Sequence, residues 1–138
     1  MSHKIIGKYI KDLIFNIPNP KTFFLLSQDI SNYKINIDIK SSQIKQNIVE
    51  VLTTLKLTPT KENFEIIKAE IVYATIVELE EKIEKRLIEK IILIEIPSQI
   101  YSELRQIFVR LFENCGFKDI KISKNINFQE LYEMRRTQ

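Results

Sequence analysis

The stretch Ala69-Glu70-Ile71-Val72-Tyr73-Ala74-Thr75-Ile76-Val77 decides the fold, because two periodicities meet at its end. Counting from just before it, Ile67, Ala69, Ile71, Tyr73, Thr75 and Val77 share one face, while Ile66, Lys68, Glu70, Val72 and Ala74 share the other. A repeat of two is a strand with one face against a core. From Leu79 the repeat changes. Ile83, Leu87, Ile88, Ile91 and Ile92 recur at steps of three and four, the stripe of a helix. Glu78, Glu80 and Glu81 then fall in its first turn, where they suit the helix dipole. Glu78 with Lys82 and Glu81 with Lys85 make favourable pairs four residues apart. Strands first and helices after is an α+β pattern.

Upstream, the same repeat of two recurs. Tyr33, Ile35, Ile37 and Ile39 alternate with Lys34, Asn36, Asp38 and Lys40. Val49, Val51, Thr53, Leu55 and Leu57 follow the polar stretch at residues 40–43, and a turn is expected at Pro59-Thr60-Lys61-Glu62-Asn63. Nearest the start, Tyr9, Leu13 and Phe15 oppose Ile10, Asp12, Ile14 and Asn16, up to Ile17-Pro18-Asn19-Pro20. Four strands with short connections predict a four-stranded antiparallel sheet. The connection over residues 18–32 is longer and carries Phe23, Phe24, Leu25 and Leu26. A loop that long and that apolar must cover something. Downstream, Pro97 is expected to interrupt the first helix. A second helix is expected over residues 98–114, with Ile100, Leu104, Ile107, Phe108, Leu111 and Phe112 on one face. Gly116 suits a left-handed helix stop, and a short third helix fits residues 128–135. The length suits one domain over residues 1–138.

Composition narrows the function. At 44% hydrophobic the chain can fill a core. Two glycines argue against a Gly-rich phosphate loop. One histidine, His3, and one cysteine, Cys115, cannot make a zinc site, and a single cysteine forms no internal disulfide. No carboxylate pair is isolated in an apolar setting that would split its pKa values. No catalytic residue, metal ligand or cofactor is therefore expected. The net charge of +3 hints at nucleic acid, but cations and anions interleave, as in Glu80-Glu81-Lys82-Ile83-Glu84-Lys85-Arg86. A mixed solvated surface is the better reading, with no nucleic-acid partner expected. No apolar run of membrane-spanning length exists, and Met1 to Lys8 lacks a signal-peptide core, so a cytoplasmic protein without membrane insertion is expected.

Three features can be read as structure or as function. Glu70 and Asp12 are flanked by apolar residues yet fall on the wet sides of their strands, as solvated residues or docking carboxylates. Phe23 to Leu26 is loop packing or the wall of an apolar groove. The helix stripe from Ile100 to Phe112 suits a core or subunit interface better than a groove.

The order of motifs adds a resemblance. Tyr9-Ile10-Lys11-Asp12-Leu13-Ile14-Phe15-Asn16-Ile17-Pro18-Asn19-Pro20 resembles the opening strand of the SecB family of protein-export chaperones. Lys34-Ile35-Asn36-Ile37-Asp38-Ile39, Asn47-Ile48-Val49-Glu50-Val51 and the stretch from Ala69 to Val77 are similar to its second, third and fourth strands. Glu95-Ile96-Pro97, Arg105, Gly116-Phe117 and Ile126-Asn127-Phe128-Gln129-Glu130-Leu131-Tyr132 follow in the family's order.

The resemblance implies an antiparallel sheet with two main helices, in a homotetramer built as a dimer of dimers. It implies a holdase that binds unfolded preproteins, hands them to the SecA motor and uses no cofactor. It makes Phe23, Phe24, Leu25, Leu26, Ile100, Tyr101 and Leu104 walls of the preprotein groove. Asp12 and Glu70 take the positions of acidic residues on which SecA docks. In the same region Asn16 stands where the family usually carries glutamate, and Lys68 where it usually carries an apolar residue. Both changes weaken an acidic docking surface. The alternative within the fold is a chaperone that guards an antitoxin.

Overall fold

The computed structural model describes residues 3–28, 33–59, 68–117 and 122–136. The strands are β1 (His3–Asn16), β2 (Tyr33–Lys45), β3 (Ile48–Pro59) and β4 (Lys68–Leu79). The helices are α1 (Pro20–Gln28), α2 (Lys85–Lys90), α3 (Ile96–Asn114) and α4 (Phe128–Arg136). All three strand pairings are antiparallel, in the order β1-β4-β3-β2. The expected turn over residues 59–63 falls almost wholly outside the described residues, as do Ile66 and Ile67.

β1 and β2 are consecutive in sequence but form opposite edges of the sheet. That separation explains the long connection. Where the sequence suggests a loop, its first part is the helix α1. Asn19 caps α1: its side-chain oxygen accepts from the Thr22 amide at 2.8 Å and the Thr22 hydroxyl at 3.0 Å. Pro20 fills the first helical position, where its missing N–H costs nothing. The predicted covering role holds for Leu26, which is fully buried in the main core.

β2 runs through the polar residues 40–43, and the chain reverses at Gln46 and Asn47, with Asn47 in the left-handed region (φ 66°). β4 alternates as predicted: Ala69, Ile71, Tyr73, Thr75 and Val77 are buried, and they face the helices. It also continues further than the periodicity suggests. The Leu79 amide donates to the Asn47 carbonyl at 2.7 Å, and the Leu79 side chain is buried. Glu78 is therefore a strand residue, Lys82 takes a left-handed turn (φ 63°), and Glu84 is the extended residue before α2. The pairs Glu78–Lys82 and Glu81–Lys85 do not lie on one helix.

Pro97 does not end the helix. α2 passes into a π-helical turn, Ile91–Glu95, and directly into α3. The Ile96 amide donates to the Ile91 carbonyl, five residues back. Proline has no N–H for an ordinary helical bond, and the wider turn admits it without a break. The Ser98 hydroxyl donates to the Ile94 carbonyl at 2.6 Å.

This long helix covers one face of the sheet, here called the inner face. Ile91 and Ile96 pack on Val49, Val51, Val77 and Leu79; Ile100, Leu104, Phe108 and Phe112 pack on Leu55, Leu57, Ala69 and Ile71. Gly116 (φ 89°) stops α3 as predicted. Its amide donates to the Glu113 carbonyl at 2.9 Å, and that of Phe117 to Phe112 at 3.1 Å. The Phe112 and Phe117 rings close this Schellman stop from the apolar side, 6.0 Å apart.

Candidate functional site

The uncovered outer face carries the four predicted docking residues. Its layout depends on two bulges in β1, between Ile5 and Gly7 and between Ile10 and Asp12. Residues paired across strands share a face. Tyr9 pairs with Ala74, Asp12 with Val72, Ile14 with Glu70 and Asn16 with Lys68, so all of these project outward. Tyr9 was expected opposite Asp12; the extra residue at the second bulge brings it to the same face. Asp12, Asn16, Glu70 and Lys68 are thus brought together on two neighbouring strands. Lys56 on β3 is the register partner of Glu70, which places a further cation in the patch.

A second cluster on this face was not legible as a site. Glu50, on β3, lies across β4 from β1 and is only 9% exposed. Its carboxylate accepts a short hydrogen bond from the Tyr9 hydroxyl and one from Lys11 Nζ at 3.2 Å. The Tyr9 bond, helped by Lys11 and opposed by burial, holds the Glu50 carboxyl below its ordinary pKa. That arrangement pins the bulged edge strand to the sheet centre.

On the inner side, the predicted groove residues separate. Leu26, Ile100, Tyr101 and Leu104 are buried in the core, and Phe23 is half-buried against Phe117, ring centres 5.0 Å apart. They are not walls of an open groove in this conformation. Phe24 is 61% exposed, and the Leu25 side chain lies outside the described residues. The chain that follows α3 supplies part of the cover. The Tyr101 hydroxyl donates to the Ser123 carbonyl at 2.6 Å, Arg105 Nε to the Ile122 carbonyl at 3.0 Å, and the Phe128 ring stands 6.0 Å from that of Tyr101. Periodicity marks such residues as apolar but cannot say whether a distant segment lies over them.

An open groove does exist, elsewhere. Between β2, the α2–π run and α4 lies a cavity of about 520 Å³ lined by Ile39, Lys40, Ser41, Lys85, Ile88, Glu89, Ile92, Leu93 and Arg135. A smaller one of about 180 Å³ continues it, lined by Ile37, Asp38, Ile39, Leu93, Phe128, Leu131, Tyr132 and Arg135. The groove runs beside a sheet edge, because among the described residues β2 pairs with β3 alone. The sequence signals were present in the Ile37/Ile39 alternation and the Ile88/Ile92 stripe, but nothing in them juxtaposes the two.

The other edge, β1, exposes Ile6, Tyr9, Ile10, Leu13 and Ile14 at 40–47% each. Ile10 and Leu13 point to the inner side by register, beyond the reach of α3. Polar contacts bridge there: Lys8 Nζ lies 2.7 Å from Glu103, and the Tyr73 hydroxyl donates to Glu103 at 3.2 Å. Among the described residues, no helix is long and apolar enough to cross a membrane.

Comparison with known proteins supplies the family. The family model described as preprotein translocase subunit SecB matches residues 1–138. The chain is 41% identical over 135 residues to a protein of Pelagibacter ubique provisionally named protein-export protein SecB, covering 97% of this chain and 96% of that one. It is 26% identical over 140 residues to the protein-export protein SecB of Anaplasma marginale, covering 94% and 79%. Its fold is similar to that of a SecB-like chaperone of Mycobacterium tuberculosis solved in complex with a ChAD peptide from an antitoxin. There the TM-score is 0.57 at 9% identity, with 88% and 91% of the two chains covered. The whole-chain match and the 41% relative agree with the order of motifs along the sequence, and the chain belongs to the SecB family.

Proposed function

We propose that this chain is a single-domain holdase that keeps unfolded preproteins export-competent in the cytoplasm and passes them to the SecA motor. The observation that carries the reading is the apolar groove beside a free strand edge. An extended segment of another chain can add backbone hydrogen bonds at such an edge and place alternate side chains in the groove. Its floor of Ile39, Ile88, Ile92 and Leu93 makes no directional demand, which suits clients of differing sequence. Phe24, and in part Phe23, offer further apolar surface on α1. Leu26, Ile100, Tyr101 and Leu104 join it only if the cover over α3 lifts. The exposed β1 edge is the surface on which a second copy pairs, and two such pairs make the tetramer.

The test is light scattering of an aggregating, chemically unfolded protein with this chain added at stoichiometric ratio and no nucleotide. Suppression is expected; its absence from a folded sample overturns the holdase reading. SecA delivery is tested separately by binding at low salt. Asp12→Lys and Glu70→Lys are expected to abolish it, and a parent that fails to bind SecA removes that half of the proposal.

A second reading, the guarding of an antitoxin, is favoured by Asn16 and Lys68, which dilute the acidic patch, and by the peptide held by the Mycobacterium tuberculosis neighbour. It expects selective protection of one antitoxin and no suppression of unrelated aggregation.

A further inference from the structure

Glu50 sits on β3, two strands away from β1, yet both of its carboxylate oxygens are engaged by β1. The Tyr9 hydroxyl donates to one and Lys11 Nζ to the other, at 3.2 Å. The two side chains reach it across β4, where the register sets Ala74 opposite Tyr9 and Ile76 opposite Glu50. Lys11 is the residue that the second bulge leaves without a register partner, between Ile10 and Asp12. It therefore adjoins Asp12 in the chain, and its flexible stem can carry the ammonium to either carboxylate. Glu50 holds it. The Glu50 side chain is 12% exposed, and a carboxylate so enclosed is costly to leave without its cation. Asp12, by contrast, forms no ion pair among the described residues, and its side chain accepts a hydrogen bond from the Leu13 amide at 2.9 Å.

We propose that Glu50 is a positioning residue for docking on the outer face: by holding Lys11 it keeps the Asp12 carboxylate clear of the neighbouring cation and open to a cationic partner surface. Glu50 adds no free charge of its own to the patch, because both oxygens are engaged and the Lys11 ammonium offsets its charge. Its effect is on Asp12. A released Lys11 places a third cation on a face where Lys68 and Lys56 already stand beside Glu70, and so weakens attraction for a cationic partner. The Tyr9 bond fixes the strand on the other side of the bulge, so the two contacts hold the bulge from both ends. The inference rests on the SecA half of the proposed function and adds to it a residue that touches no partner.

The test compares the binding of labelled SecA at low salt by the parent, by Glu50→Gln, and by Glu50→Gln combined with Lys11→Met. Glutamine keeps an acceptor for the Tyr9 hydroxyl but gives up the charge that holds Lys11. Glu50→Gln is expected to weaken binding by on the order of fivefold, and by less as salt rises. Adding Lys11→Met is expected to restore binding, while the urea midpoint of both variants stays below that of the parent. Binding restored without stability is a result that a purely structural role does not give. Lys11→Met alone is expected to bind within about twofold of the parent, because its cation is already withdrawn. A severalfold gain there overturns the proposal even if Glu50→Gln does not fold. Unchanged binding by Glu50→Gln, or a loss that Lys11→Met does not repair, also overturns it and leaves SecA docking standing. A parent that does not bind SecA removes the docking reading, and this inference with it.

Discussion

Glu50 and Thr75 show what single side chains contribute. Glu50 is held below its ordinary pKa by the Tyr9 hydroxyl and Lys11. A carboxyl lowered on folding stabilises above its unfolded pKa, about 4.3, and that contribution is lost as pH falls through the folded value. Glu50→Gln is expected to cost about 1–2 kcal/mol at pH 7 in urea unfolding, and the gap to the parent is expected to close in acid. A gap independent of pH would show that the charge is not involved. Thr75 is the opposite case. Its hydroxyl is buried on the inner face with no hydrogen-bond partner among the described residues. Thr75→Val keeps the shape and removes the unsatisfied group, so a gain of about 1 kcal/mol is expected, read as a higher urea midpoint. Neither residue was distinguishable by sequence: Thr75 was legible as inward-facing, but its lack of a partner depends on what packs above it.

Elements begin and end where local chemistry and tertiary contacts agree. Gly116 was legible because only glycine adopts φ 89° without strain. A Cβ there would meet nothing within 4 Å, so the cost of substitution is conformational. Gly116→Ala is expected to lower stability by about 1 kcal/mol in thermal or urea unfolding, and a neutral result would show that the stop tolerates a right-handed residue. α1 was equally available from Asn19 and Pro20, a cap followed by a first-turn proline, yet its run of apolar residues suggested a covering loop. The boundary between β4 and α2 was not available. Leu79 satisfies a helix stripe and a strand face alike, and the Asn47 carbonyl on the adjoining hairpin decides for the strand. The same holds at Pro97, where the π turn replaces the expected break.

Across the whole molecule, the two sheet edges differ. β2 borders a groove with an apolar floor and a rim of mixed charge, whereas β1 exposes apolar side chains on both faces. Ile10→Lys with Leu13→Lys is expected to reduce the proposed tetramer to smaller species by light scattering, with the circular dichroism unchanged because both residues are exposed within the single chain. An unchanged mass would remove β1 from the assembly. On the outer face, Asp12, Asn16, Glu70 and Lys68 lie together as the strand parity indicated, with Lys56 added by register.

Alternation and stripe by themselves determined the four strands, the buried faces of β3 and β4, the helix stop at Gly116 and the family pattern, because each depends on neighbours within a few residues. Tertiary structure alone decided the two bulges that turn Tyr9 outward, the burial of Ile100, Tyr101 and Leu104 beneath later chain, and the groove between β2 and the α2–π run. Those features arise where segments far apart in sequence compete for one surface or one hydrogen-bond partner, and a periodic pattern records which side of an element is apolar, not what will come to cover it.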